Sequence, residues 1–282
     1  MTAGPKGSVI ACLALVCAML TGCVTSPESS SEGQTPKSGT VPSLDPPTDR
    51  KTASDEVDVN KRARVRMELA TAYFQRGQLT TALDEVKQAI SANPNFGEAY
   101  NLRGLIYAGL GDDALAEDSF RRSLQINPRD GDAMHNYGWY LCQKRSFAAA
   151  QTLFKQALDN PQYPNVPRTL NASGVCLARE GRWAEALTTL NRAFERDSAN
   201  PATAFNLSEV LVHEGQYERA RFYIRRVNSM PEQTTAQTLF LAAKIEMKMG
   251  NRQAANEYGF QLRSRFPQSR EAAAFDRGQF DE

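Results

Sequence analysis

Small, large and polar positions recur at a fixed spacing along most of this chain. The pattern is clearest from Gly97 to Asp130, where apolar residues at helical spacing flank a central glycine. Positions 4, 8, 11, 15, 20, 24 and 32 of that stretch are Tyr100, Gly104, Tyr107, Gly111, Ala116, Phe120 and Pro128. A glycine at 15 and a proline at 32 are typical helix ends. The pattern predicts two antiparallel helices, drawn close by small residues at positions 8 and 20.

One such unit cannot bury its own apolar faces, so neighbouring units are expected. The same spacing recurs, and the predicted repeats cover about residues 63–96, 97–130, 131–164, 167–200, 201–234 and 236–269. This is the spacing of the tetratricopeptide repeat. The sequence therefore predicts an all-α superhelical solenoid of about six helix-turn-helix repeats. We expect the repeat domain to span residues 57–282, with a short C-terminal cap.

The N-terminal segment, residues 1–22, has the pattern of a signal peptide. Lys6 precedes an apolar run over residues 9–20, which is too short to span a membrane. The run closes with Leu20-Thr21-Gly22-Cys23, which resembles a bacterial lipobox. That resemblance implies that Cys23 is acylated and anchors the chain, whereas the alternative is an ordinary signal peptide with an incidental cysteine. Val24 in place of aspartate resembles lipoproteins exported to the outer membrane, so we expect an anchor on its periplasmic face.

Residues 23–56 are rich in Ser, Pro, Thr and Gly and contain few large apolar side chains. Such a segment cannot bury enough surface to offset its ordering entropy. We predict a disordered tether with an r.m.s. span of about 30 Å.

The charge balance and the histidine content argue against nucleic-acid binding and against catalysis. The 33 basic and 32 acidic side chains nearly cancel, which gives no global field for nucleic acid. The two histidines have no nucleophile or carboxylate at a fixed spacing that would suggest a catalytic or metal site. We expect a non-enzymatic, monomeric protein without cofactor or metal.

Only Cys142 and Cys176, of five cysteines, fall within the repeats. They lie on the first helices of the third and fourth repeats, which stack side by side. A disulfide in the oxidising periplasm would join these repeats across the proline-rich connection at residues 160–167. The alternative is two small buried thiols.

The concave face of such an array is built from positions 2, 5, 9, 12 and 13 of each first helix. Aromatic, amide and charged groups mix there, as a surface that grips a peptide requires. The predicted partner-binding groove contains Met67, Thr71, Phe74, Asn101, Leu105, His135 and Trp139. Trp139 is the best anchor because an indole gives a large contact area and one donor. Core packing is its alternative, and Trp183 is interpreted as packing.

Several runs go beyond the generic repeat. Arg66-Met67-Glu68-Leu69-Ala70, Asn136-Tyr137-Gly138-Trp139-Tyr140-Leu141-Cys142, Tyr163-Pro164 and Glu257-Tyr258-Gly259-Phe260-Gln261-Leu262 resemble the PilF/PilW family of type IV pilus biogenesis lipoproteins. The resemblance covers about residue 62 to the C terminus. It implies a pilotin that helps a PilQ-like secretin to reach the outer membrane and form multimers, and it implies that Cys142 and Cys176 are joined. The alternative is a general periplasmic scaffold lipoprotein serving another envelope assembly machine.

Overall fold

The chain was analysed as a computed structural model, which describes residues 58–280. These residues form thirteen helices: α1 (Val59–Gln75), α2 (Leu79–Ala92), α3 (Gly97–Leu110), α4 (Asp113–Ile126), α5 (Gly131–Gln143), α6 (Phe147–Leu158), α7 (Val166–Glu180), α8 (Trp183–Arg196), α9 (Pro201–His213), α10 (Tyr217–Asn228), α11 (Ala236–Lys248), α12 (Arg252–Arg265) and α13 (Arg270–Asp276). The predicted signal peptide, Cys23 and the tether lie outside the described residues. Within residues 58–280, every helix is too short or too polar to cross a membrane.

The first twelve helices form six consecutive antiparallel pairs, one pair per repeat. Each pair packs on the next, and the first helices of successive repeats contact each other. The core is correspondingly divided into clusters that each span two or three neighbouring repeats. The predicted all-α solenoid is confirmed, and α13 closes it by packing on α11 and α12.

Glycine at position 8 sets the distance between the two helices of a repeat. A Cβ atom added at Gly104 would lie 2.7 Å from the Phe120 ring, and one added at Gly174 would lie 2.6 Å from Leu190. Real Cβ contacts are longer than this. The absent side chain is therefore what lets the large residue at position 24 fill the repeat, as the sequence pattern predicts.

The last repeat reverses this arrangement. Position 24 is Gly259, and the ring of Phe275 from α13 occupies the space that a side chain there would need. Ser269 caps α13 by accepting a hydrogen bond from the Ala272 amide at 3.1 Å. The capping helix thus supplies the aromatic side chain that the last repeat lacks.

The connection between the third and fourth repeats folds back onto the core. The Asn160 side-chain amide donates to the Arg129 carbonyl at 3.0 Å. Tyr163 is buried against Gly131, where an added side chain would collide with its ring. The Tyr163 hydroxyl lies 2.8 Å from the Thr169 hydroxyl. These contacts order the proline-rich connection and fix where α7 begins.

Candidate functional site

A cavity of about 360 Å³ opens on the concave side of the first three repeats. Met67 from α1 and Asn101 and Leu105 from α3 line it, so three of the predicted groove residues are brought together. Its charged lining residues are Glu98, Asp130 and Asp132, and no basic residue contributes. We refer to this site, from Met67 to Asp132, as the acidic cavity.

The acidic cavity combines an apolar floor with three carboxylates that differ in exposure and in hydrogen bonding. Asp130 caps α5 by accepting a hydrogen bond from the Ala133 amide at 2.9 Å. Asp132 accepts from the Asn165 side chain at 3.0 Å, whereas Glu98 is exposed. Asn101 accepts from the Asn136 side chain at 3.2 Å. This combination suits an apolar segment that carries positive charge.

Two other predicted groove residues lie nearby but do not line the acidic cavity. The Thr71 hydroxyl donates to the Met67 carbonyl at 2.9 Å, so it is occupied within α1. The half-buried Phe74 packs against the core of the first two repeats. The structure therefore gives both side chains packing roles within or beside α1.

The expectation that His135 lines the groove is wrong. Its side chain is 5% exposed because α7 packs over this side of α5. The His135 Nδ1 atom lies 2.8 Å from the Thr169 hydroxyl. Burial, with a smaller effect from the Arg168 guanidinium, lowers the pKa of His135 to about 3. The ring is thus a neutral core group.

Trp139 is half-buried and has two environments. One part of the indole packs against the core cluster of repeats two to four. The Arg179 guanidinium lies 5.0 Å from the centre of its ring. The indole consequently has both core and surface contacts, and it does not line the acidic cavity.

The structure brings Cys142 and Cys176 together between α5 and α7. Their Cα atoms lie 5.8 Å apart, within the range that a disulfide spans, and they stand as a bonded pair. Both side chains are inaccessible, with 1% and 0% exposure. The oxidation state of the pair in the cell stays a prediction.

A second concave region lies between repeats four and six. It contains two adjoining cavities of about 500 and 470 Å³ that share Glu209, Leu241 and Lys244. We call this region the C-terminal groove and define it by Phe205, Glu209, Phe240, Leu241 and Lys244 together with the side chains around them.

The position rule for first helices could have found the C-terminal groove. Phe205 and Phe240 occupy position 5 of their repeats, and Glu209 and Lys244 occupy position 9. The groove predicted from the sequence lies on the first three repeats, and beyond them the rule assigned only His213, at position 13 of the fifth repeat, to a binding groove. His213 does line the C-terminal groove. Trp183 packs against the core of repeats four to six, as the sequence predicts, and its ring also stacks on His213 with centroids 3.7 Å apart at the edge of the groove.

Metal chemistry receives no support from residues 58–280, which contain no group of three or more His, Cys, Asp or Glu side chains placed to hold an ion. Both concave regions instead offer apolar, amide and charged groups on a rigid helical frame. Such surfaces recognise peptide segments.

Comparison with known proteins agrees with this architecture. Tetratricopeptide-repeat profiles match residues 67–131 and 138–201, and a second such profile matches residues 177–239. The type IV pilus assembly protein PilF of Pseudomonas aeruginosa is 24% identical over 209 residues, which cover 74% of this chain and 82% of PilF.

Solved structures extend the relationship. The crystal structure of PilW, described as a widely conserved type IV pilus biogenesis factor, is 30% identical with a TM-score of 0.72. The match covers 77% of this chain and 99% of PilW. The structure of P. aeruginosa PilF has a TM-score of 0.68 at 21% identity, covering 78% of this chain and 99% of PilF. This chain therefore belongs to the PilF/PilW family of tetratricopeptide-repeat proteins of type IV pilus biogenesis.

Proposed function

We propose that this protein is a pilotin, an outer-membrane lipoprotein that binds a PilQ-like secretin subunit and supports secretin localisation and multimerisation. The acidic cavity is the observation that carries the proposal, because Met67, Asn101 and Leu105 converge there beside carboxylates. A secretin segment with apolar and basic side chains would match both its floor and its charge.

The anchor and the groove have separate tasks in this proposal. Acylated Cys23 holds the chain at the periplasmic face of the outer membrane, and residues 24–56 give the repeat domain its reach. Confinement near the membrane raises the effective concentration of captured subunits there. The repeat domain acts as a binding scaffold, and no bond-making step is required of it.

The test is capture of secretin by tagged full-length protein from detergent-solubilised membranes of the native host. The test variant combines Met67→Ala, Asn101→Ala and Leu105→Ala, which removes apolar contact area and an amide from the acidic cavity. We expect secretin capture to fall by about tenfold or more, as for the loss of central interface residues. The matched control is Val65→Ala, at a 49% exposed position on the same helix as Met67.

Three further outcomes would show which part of the proposal is wrong. Secretin capture that equals the control would remove the binding site from the acidic cavity. Capture of components of another envelope machine in place of secretin would favour the general scaffold. A Cys23→Ser variant that stays membrane-bound would contradict the lipid anchor without bearing on the cavity.

A further inference from the structure

The two concave regions carry opposite charge. The acidic cavity has three carboxylates and no basic residue among its lining side chains, although one of the three, Asp132, pairs with Arg168 beside the cavity at 3.6 Å. The C-terminal groove is lined by Arg179, Lys244 and Arg277, none of which forms a salt bridge within residues 58–280. Arg270 at the same groove pairs with Glu271 at 2.9 Å. Glu209 forms no salt bridge among the described residues, but the Lys244 ammonium is near enough to favour its charged form, so these two charges partly offset each other. Arg179 and Arg277 keep the balance of the lining positive.

Apolar surface accompanies this charge. Phe205, Phe240 and Leu241 contribute to the lining of the larger cavity, and Leu241 continues into the second. Trp183 adds an indole face that is stacked on His213. Cationic groups around an aromatic floor favour a ligand that presents carboxylates next to large apolar side chains.

A pair of asparagines adds a group that fits peptide backbone. Asn206, which lines the groove, donates from its side-chain amide to the Asn171 oxygen at 3.0 Å. Within residues 58–280, the Asn171 amide nitrogen and the Asn206 oxygen have no other hydrogen-bond partner. One donor and one acceptor therefore stand together, which is the complement of a peptide bond.

We propose that the C-terminal groove binds an extended peptide segment of a partner protein in which acidic side chains alternate with aromatic or aliphatic ones. Arg179, Lys244 and Arg277 receive the carboxylates, Phe205 and Phe240 contact the apolar side chains, and Asn171 with Asn206 bind the backbone. This inference does not depend on the identity of the partner at the acidic cavity. Because the two sites carry opposite charge, a peptide segment that binds one of them should not bind the other.

The probe is an end-blocked, fluorescein-labelled decapeptide in which Glu alternates with Phe and Leu. Matched peptides carry Gln or Lys at every Glu position. Anisotropy titrations use the mature chain at low and physiological salt. We expect the Glu peptide to bind about tenfold or more tightly than the Gln peptide, with an affinity that falls as salt screens the charges.

Lys244→Glu should weaken binding of the Glu peptide by about tenfold or more, since it replaces the central attraction by repulsion. Arg252→Glu makes the same charge change at an exposed site outside the groove and should leave affinity within about twofold. Lys244→Gln provides a milder second variant, and circular dichroism checks the fold. Glu98→Lys, in the acidic cavity, should leave binding of the Glu peptide unchanged.

Equal binding of the Glu and Gln peptides would overturn the proposal, as would insensitivity to both Lys244 variants. Phosphatidylglycerol vesicles that displace the Glu peptide and lose binding in Lys244→Glu would assign the groove to a membrane surface instead. The two proposals can fail separately. Secretin capture without binding of the Glu peptide would contradict only this proposal, and binding of the Glu peptide without secretin capture would contradict only the pilotin proposal.

Discussion

The imidazole of His135 sits between the third and fourth repeats, with the hydroxyls of Thr169 and Tyr163 forming a chain beside it. Its pKa of about 3 means that the folded protein keeps this ring neutral down to acidic pH. An unfolded chain binds the proton near the ordinary value of 6.5. The unfolded state therefore holds more protons between these two values, so stability rises with pH across that window.

We predict that lowering the pH from about 7 to 5 costs the protein about 2 kcal/mol through His135 alone. In His135→Asn this contribution disappears, because asparagine does not titrate while it keeps a polar group near Thr169. Urea unfolding of both proteins at the two pH values measures the difference. Equal losses of the free energy of unfolding in the wild type and the variant would contradict a neutral buried ring.

Helices α5 and α7 are joined by more than packing. The connection between their repeats contains three prolines and is held by Tyr163 against Gly131. Cys142 and Cys176 meet on the same two helices, 34 residues apart in sequence. A covalent bond there would fix the junction where the repeat spacing is interrupted by two extra residues. The acidic cavity ends at this junction, since Asp132 at the start of α5 accepts from Asn165 of the connection.

We predict that the cysteine pair is oxidised in the protein isolated from its host and that its reduction lowers the free energy of unfolding by about 3 kcal/mol. The reason is the larger conformational freedom of an unfolded chain without the closed loop. Urea unfolding with and without a phosphine reductant measures this loss. The double variant Cys142→Ala and Cys176→Ala should show the lower stability and no response to reductant. Mass spectrometry that finds both thiols free in unreduced protein would contradict the bond.

At the scale of the whole molecule, the sequence alone predicted the helical pairs, their number and the closing segment. These follow from local spacing, because a small residue at position 8 and a larger apolar residue at position 24 specify the same contact in each of the first five repeats. Features that depend on a neighbouring repeat were harder to predict. His135 looked like a groove residue because the burial comes from α7, about thirty residues later.

Glu246 is a second residue whose environment depends on a neighbouring repeat and could not be predicted from the sequence. It occupies position 11, where other repeats have Tyr or Leu, and the sequence offered no reason for a carboxylate there. The structure buries it to 1% exposure and pairs it with Arg225 of the preceding repeat at 2.8 Å. The Asn251 side chain donates to its second oxygen at 2.9 Å. The charge of Glu246 is thus balanced by a residue of the neighbouring repeat, which a pattern within one repeat cannot reveal.

A solenoid stabilised by contacts between neighbours should respond locally to damage at its end. Phe275 fills the space beside Gly259. Arg270 begins α13 and Arg277 directly follows its last residue, and both arginines line the C-terminal groove. We predict that Phe275→Ala lowers the hydrogen-exchange stability of α11 and α12 by about 2 kcal/mol, less than for a fully buried ring because Phe275 is partly exposed.

Helices α1–α4 should keep their protection in that variant, because they make no contact with α13. Phe260→Ala, at a 68% exposed position on α12, is the matched control and should leave exchange unchanged throughout. Amide exchange read by mass spectrometry gives each helix separately. A uniform loss over all helices would mean that the repeats unfold as one unit. A local loss, with weaker binding of the Glu peptide, would mean that α13 both caps the array and holds one wall of the C-terminal groove.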